Sequence, residues 1–184
     1  MNKAILSILG RDRPGIVAAV SRALTDRNCN IENVSQTMLQ KEFAGIFVVT
    51  MPEGMSAGQL HTEMASSLST LGLHIYTKSC EGGEDDCEAD NCEPFVITTK
   101  GPDRKGLVAG IAEVIARHGV NITNLQAVFK GGNDPGGNIM IYEVDLPADF
   151  DRQALVRDLK SRADALKLEI SIQHRNIFEA IHRV

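Results

Sequence analysis

One pattern is written twice in this chain, and that repetition constrains the fold more than any other feature. Placing Gly10 against Gly101 aligns 25 residues without a gap: GRDRPGIVAAVSRALTDRNCNIENV from 10 to 34 and GPDRKGLVAGIAEVIARHGVNITNL from 101 to 125, at a constant offset of 91. Identical pairs include Asp12 with Asp103, Arg13 with Arg104, Gly15 with Gly106, and Val17 with Val108. Asn30, Ile31 and Asn33 likewise match Asn121, Ile122 and Asn124. An internal repeat of this length means two copies of one domain.

Hydrophobic periodicity gives the same order of elements in each copy. Lys3 to Leu9 and Phe95 to Lys100 read as opening strands, each ending at a glycine and a charged turn. A helix follows, marked by Ile16, Val17, Val20 and Leu24, and by Leu107, Val108, Ile111, Val114 and Ile115. Asn30 to Gln40 and Phe43 to Met51 read as a hairpin joined by a short Lys41-Glu42 turn; Asn121 to Lys130 and Asn138 to Leu146 read as its counterpart. Second helices carry Leu60, Met64, Leu68 and Leu71, and Leu155, Leu159 and Leu166, before final strands at Leu73 to Lys78 and Leu168 to His174. The order βαββαβ predicts an α+β chain of two ferredoxin-like domains, each with four antiparallel strands and both helices on one face. The predicted organisation is a first domain at 1–79, an acidic cysteine-containing linker at 80–93, a second domain at 94–175 and a tail helix at 176–184. A domain of about 80 residues buries a modest core, so the sheets are expected to pair with each other or with a second chain, giving a homo-oligomer such as a dimer.

Charge narrows the function. The net charge is -5, yet residues 79 to 94 hold seven acids and no Lys or Arg, so the rest of the chain carries +2. With 4% aromatic residues there is neither a phosphate-neutralising face nor a stacking platform, which argues against direct nucleic-acid binding. No signal-peptide core and no long apolar run occurs, so a cytoplasmic protein without a membrane anchor is expected.

The repeated turn Asp12-Arg13-Pro14-Gly15 leads from a strand into a helix, and Pro14 suits the first helical position. The first helical N–H groups lack internal acceptors and sit at the positive end of the helix dipole, so the turn can hold a carboxylate. Gly15 and Gly106 let a ligand approach the backbone, while Asp12 and Asp103, or Asn30, Asn33, Asn121 and Asn124, can accept from an ammonium group. The structural alternative is that the aspartates cap helices, the glycines fit turns and the asparagines end the connection.

The segment DRPGIVAAVSRALTDRNCNIENVSQTML (12–39) resembles the signature of ACT domains, particularly the tandem-ACT glycine cleavage system transcriptional repressors. The resemblance implies a regulatory module that binds a small amino acid, glycine or similar, at the turn after the first strand, with no cofactor and no catalytic residues. It places a ligand against Gly10, Asp12, Arg13, Pro14, Gly15, Ile16 and Val17, and against Gly101, Asp103, Arg104, Gly106, Leu107 and Val108. Asn30, Ile31 and Asn33, with Asn121, Ile122 and Asn124, are implied as pocket walls. It also implies action on a protein partner, such as a transcription activator or an enzyme, rather than on DNA.

Other sites are weaker. Cys80, Cys87 and Cys92 follow a C-x6-C-x4-C spacing among carboxylates, which would suit a thiol or metal sensor but lacks the tight pair that opens usual structural zinc sites. Cys29 reads as a small core residue. The run GGNDPGG (131–137) lies between strands and reads as a long hairpin turn, a lid or a partner contact. His61, His74, His118, His174 and His182 show no paired ligand spacing, so an enzyme is not expected. Ile177, Phe178 and Ile181 form a short apolar stripe that could seal a sheet or meet a partner.

Overall fold

The structure, a computed structural model, describes residues 2–80, 92–128, 137–147 and 149–182, the side chains of 128 and 179–182 excepted. The chain forms two compact units with one four-stranded sheet in each. The first contains β1 (Lys3–Arg11), α1 (Ile16–Thr25), β2 (Asn30–Leu39), β3 (Glu42–Thr50), α2 (Ala57–Ser67) and β4 (His74–Ser79). The second contains β5 (Cys92–Gly101), α3 (Leu107–Arg117), β6 (Ile122–Val128), β7 (Asn138–Pro147), α4 (Arg152–Ala165), β8 (Glu169–His174) and α5 (Arg175–His182). Strand orders are β2-β3-β1-β4 and β6-β7-β5-β8, with every neighbouring pair antiparallel. This is the βαββαβ arrangement that the periodicity predicts.

Period-two alternation on the strands and helical spacing on α1 and α3 send apolar side chains into one space per domain. On β1, Ala4, Leu6, Ile8 and Gly10 are buried; α1 adds Ile16, Val20, Ala23 and Leu24 at helical spacing. Phe47, Leu60 and Met64 complete the first core. In the second, Ile97, Ile111, Met140, Tyr142, Leu155 and Leu159 are all fully buried. Each such side chain contributes roughly 1.5–3 kcal/mol. Gly10 and Gly101 serve this packing, since an added Cβ would lie 2.8 Å from Leu73 Cδ2 and 2.6 Å from Leu168 Cδ2.

Several boundaries differ from expectation. β5 begins at Cys92, so Cys92 and Glu93 are strand residues opposite Pro147 and Leu146 rather than linker. The β2–β3 turn is Gln40-Lys41, with Gln40 at φ 59, and Glu42 already pairs with Arg11. Helix α2 stops at Ser67, and a 3-10 turn at Ser69–Leu71 carries the chain to β4. Pro14 is not the first helical residue: Gly15, at φ 94, is the N-cap, so Pro14 lies one residue before the cap. Linker residues 81–91 and loop residues 129–136, which hold Cys87 and most of the glycine-rich run, lie outside the described residues.

The sheet faces turned away from the helices differ between the domains. In the second, α5 packs on β5 and β8, and its Arg175 reaches Glu143 at 3.1 Å and Asp145 at 3.7 Å. Beneath it Val96 is 2% exposed, although Ile177 of the same helix is 54% exposed. In the first domain, Leu9, Ile46 and Tyr76 stand exposed on the corresponding face.

Candidate functional site

Two of the four main helices are capped by their own sequence. Ser56 accepts from Gln59 N–H while the Gln59 side chain accepts from Ser56 N–H, and Asp151 accepts from Ala154 N–H at 3.0 Å. Helices α1 and α3 have neither a side-chain cap nor an acid in the first turn. Their N-caps are Gly15 (φ 94) and Gly106 (φ 87), a conformation that costs a residue with a Cβ roughly 1–2 kcal/mol. Space beside both glycines is open, so their requirement is the backbone conformation and not a close neighbour. Asp12 and Asp103 are therefore not the helix caps of the structural alternative.

The turns are held from outside the helix. Asp12 donates its backbone N–H to the Lys41 carbonyl at 2.7 Å, which ties the turn to the β2–β3 hairpin. Arg13 donates a guanidinium N–H to the Leu71 carbonyl, and Arg104 does the same to Leu166, the C-cap of α4. Both arginines thus serve carbonyls at the end of the second helical segment of their domain, the 3-10 turn after α2 and α4 respectively. In the first domain an open depression of about 450 Å³ is lined by Arg11, Asp12, Arg13, Thr70, Leu71 and Gly72. In the second, one of about 500 Å³ is lined by Asp103, Arg104, Gly106, Leu107, Val108 and Ala109. These volumes suit a small molecule. Ile16 and Leu107 are each 2% exposed and belong to the cores, whereas Val17 is 41% exposed beside the first turn.

The sequence motif is contiguous, but the structure separates it. Arg11 pairs with Glu42, which pairs with Leu39; Lys3 pairs with Thr50, which pairs with Asn30. The turn and the asparagines therefore lie toward opposite ends of the sheet, with six strand residues between the rows of Arg11 and Asn33 and eight between those of Arg11 and Asn30, about 20–26 Å at ~3.3 Å each. The second domain is built alike, with Asn124 opposite Glu143 and Gly101 opposite Asn138. Within one domain, Asn30, Ile31 and Asn33, or Asn121, Ile122 and Asn124, are not walls of the turn depression. A bulge falls between Ile31 and Asn33, and again between Ile122 and Asn124. At the first, Glu32 binds Lys3 at 2.6 Å and accepts from Thr50, which raises the lysine pKa and lowers that of the carboxylate. At the second, Asn124 donates to Glu143 at 2.7 Å, in the network of Arg175.

Thr70, Leu71 and Gly72 line the first depression without having been marked by the repeat. Their signal is Gly72 at φ 61, matched by Lys167 at φ 48 at the same place in the second domain. Cys29 is buried, and burial pushes its thiol pKa up, as suits a core residue. Cys80 ends the first domain with its N–H on the Lys3 carbonyl at 2.8 Å. Among the described residues no group of three or more His, Cys, Asp or Glu could hold a metal ion. Among them also, no helix is long and apolar enough to cross a membrane.

Comparison with known proteins gives one consistent family. A UPF0237 protein of Methanopyrus kandleri is 40% identical over 76 residues, spanning 41% of this chain and 84% of that protein. A UPF0237 protein of Streptococcus mutans is 36% identical over 77 residues, 42% and 88% of the two chains. A Galdieria sulphuraria protein of unknown role superposes with a TM-score of 0.76 at 23% identity over 94% of this chain and 98% of its own, which shows the shared fold. The ACT domain profile matches residues 2–78 and again residues 93–173. With both repeats matched across nearly their full length, the chain belongs to the ACT domain family as a tandem ACT-domain protein.

Proposed function

We propose that this chain is an amino-acid-responsive regulator that binds a small amino acid at the turns before α1 and α3 and acts through a protein partner. The observation that carries the reading is the contrast between helix starts: α2 and α4 are capped by Ser56 and Asp151, whereas α1 and α3 begin at bare glycines. The first-turn N–H groups are left for an anion, and a carboxylate fits them. Asp12 or Asp103 accepts from the ammonium group of the same zwitterion, and Arg11 and Arg104 add positive charge at the rim. Ligand that binds one arrangement of the domains better than another shifts their population, which is how a module of this kind changes access for a partner. A solved structure that shares the fold, with a TM-score of 0.69 at 18% identity over 94% of this chain and 96% of its own, is described as a candidate glycine cleavage system transcriptional repressor. Glycine is therefore the first ligand to try, and an activator of transcription or a metabolic enzyme is the class of partner.

The test is a thermal-shift panel of the twenty amino acids on reduced protein, with calorimetry of each hit. A ligand at about 100 times its Kd stabilises the folded state by roughly 2.7 kcal/mol. A selective shift that is lost in Asp12→Ala or Asp103→Ala supports the reading. No shift with any amino acid at millimolar concentration overturns it, and would turn attention to the thiols of Cys80, Cys87 and Cys92.

A further inference from the structure

The two turns do not offer the same chemistry. Arg13 gives one N–H to the Leu71 carbonyl and Arg104 does the same at Leu166, so Thr70 and Gly72 correspond to Ala165 and Lys167. By the repeat, Arg11 corresponds to Pro102. His74 pairs with Leu9, and the same register carried on two residues brings Arg11 beside Gly72, on the side of β1 away from β3. The first depression therefore has on its wall a cation and a hydroxyl, Arg11 and Thr70, that the second domain lacks. The second depression is lined by Asp103, Arg104 and the start of α3, with neither Lys105 nor Lys167 on its wall.

These groups are uncommitted. Among the described residues the Arg11 guanidinium has no hydrogen bond and no ion pair, although Glu42 is its cross-strand neighbour on β3. Neither the Asp12 carboxylate nor the Thr70 hydroxyl has a partner among them either. Arg11 and Arg13 set against Asp12 leave the wall with a net positive charge. Glycine, neutral as a zwitterion, leaves that charge unanswered.

Resting on the amino-acid reading of these turns, we infer that the first depression takes an amino acid with an acidic side chain, aspartate or glutamate, and that Arg11 and Thr70 select it. Asp12 accepts from the ammonium group, and the first-turn N–H groups of α1 take the α-carboxylate. The side-chain carboxylate falls to Arg11, whose planar fork matches both of its oxygens. Thr70 donates its hydroxyl to the same group. A ligand that carries a net negative charge thereby neutralises the wall. In the second domain Pro102 has no side-chain donor and Ala165 no hydroxyl, so that turn holds a ligand without a charged side chain.

Calorimetric titration of the full reduced chain at low salt tests this with two matched pairs, aspartate against asparagine and glutamate against glutamine. Each pair differs in charge and scarcely in shape. One acidic amino acid should bind a single site per chain at least roughly tenfold more tightly than its amide, and the difference should shrink in high salt. Arg11→Gln, with an unchanged circular dichroism spectrum, should bring the acid down to the affinity of the amide. Thr70→Val should remove a smaller part of the preference, and supplies the readout should Arg11→Gln unfold. Lys78→Gln removes an equal charge outside the depression and should leave the preference intact. Glycine or the amides bound as tightly as the acids would overturn this inference and leave the amino-acid site standing, whereas silence with every amino acid overturns both. A preference that survives both Arg11→Gln and Thr70→Val, or that falls equally in Lys78→Gln, also overturns it.

Discussion

Arg13 donates a guanidinium N–H to the carbonyl oxygen of Leu71, 58 residues further along the chain, and so ties the turn before α1 to the turn before β4. Arg104 repeats the contact with Leu166 in the second domain. The guanidinium thus has a structural partner at one edge of the depression while its remaining donors border it. Arg13→Ala should lower stability by about 0.5–1.5 kcal/mol, read from the urea midpoint, and should weaken amino-acid binding by more than the stability loss alone explains. An unaltered urea midpoint would show that the contact contributes nothing to folding.

The repeated glycines should separate into two kinds. Gly15→Ala and Gly106→Ala meet no neighbour but force an alanine to positive φ, at a cost of about 1–2 kcal/mol. Gly10→Ala and Gly101→Ala keep an ordinary strand backbone but push into Leu73 and Leu168, at roughly 1–3 kcal/mol. Adding Leu73→Ala should relieve part of the Gly10→Ala cost, whereas no second-site truncation should relieve Gly15→Ala. Thermal melts of the single and double variants check both.

Asn33 and Asp12 stand at opposite ends of one sheet. Asp12→Ala should weaken amino-acid affinity, and Asn33→Ala should leave it unchanged if the ligand is held within a single turn. Calorimetric titration of both variants distinguishes the two positions. Lost binding in Asn33→Ala would mean that the site draws on the far end of a sheet.

Tyr142 is fully buried where the first domain has Phe47, and its hydroxyl has the Met140 sulfur at 3.6 Å as partner. Burial pushes its pKa from 10.0 to about 12. The folded state therefore holds this proton more tightly than the unfolded chain does. The resulting stability is intact below pH 10 and is lost as pH rises through 12, by an amount of order 2–3 kcal/mol. Tyr142→Phe should flatten that alkaline decline in urea unfolding measured between these limits. An equal decline in the variant would place its origin elsewhere.

The fold was legible because its signals are local and repeated. The alternation of β1, the spacing of Ile16, Val20 and Leu24, and the recurrence of both at an offset of 91 give the element order without tertiary information. The site was legible only in part. Asp12, Gly15 and their counterparts lie at the turns, but Pro14 falls before the cap because the left-handed backbone at Gly15 places the helix start two residues later than a proline-initiated helix would. Thr70 and Gly72 reach the depression from a 3-10 turn far along the chain, and spacing within the repeat cannot point to them.

The sequence by itself determined that two like domains exist, that each is βαββαβ, and that a repeated Asp-Arg-x-Gly turn leads into both first helices. Tertiary structure alone decided which of the repeated residues stay together. A helix of ten residues advances about 15 Å, so α1 carries the chain back along β1 and begins β2 at the far end of the sheet from the turn. Residues adjacent in the motif are thereby parted, while Arg13 and Leu71, remote in sequence, are brought together, because antiparallel pairing and helix packing fix positions in space that the order of residues along the chain does not.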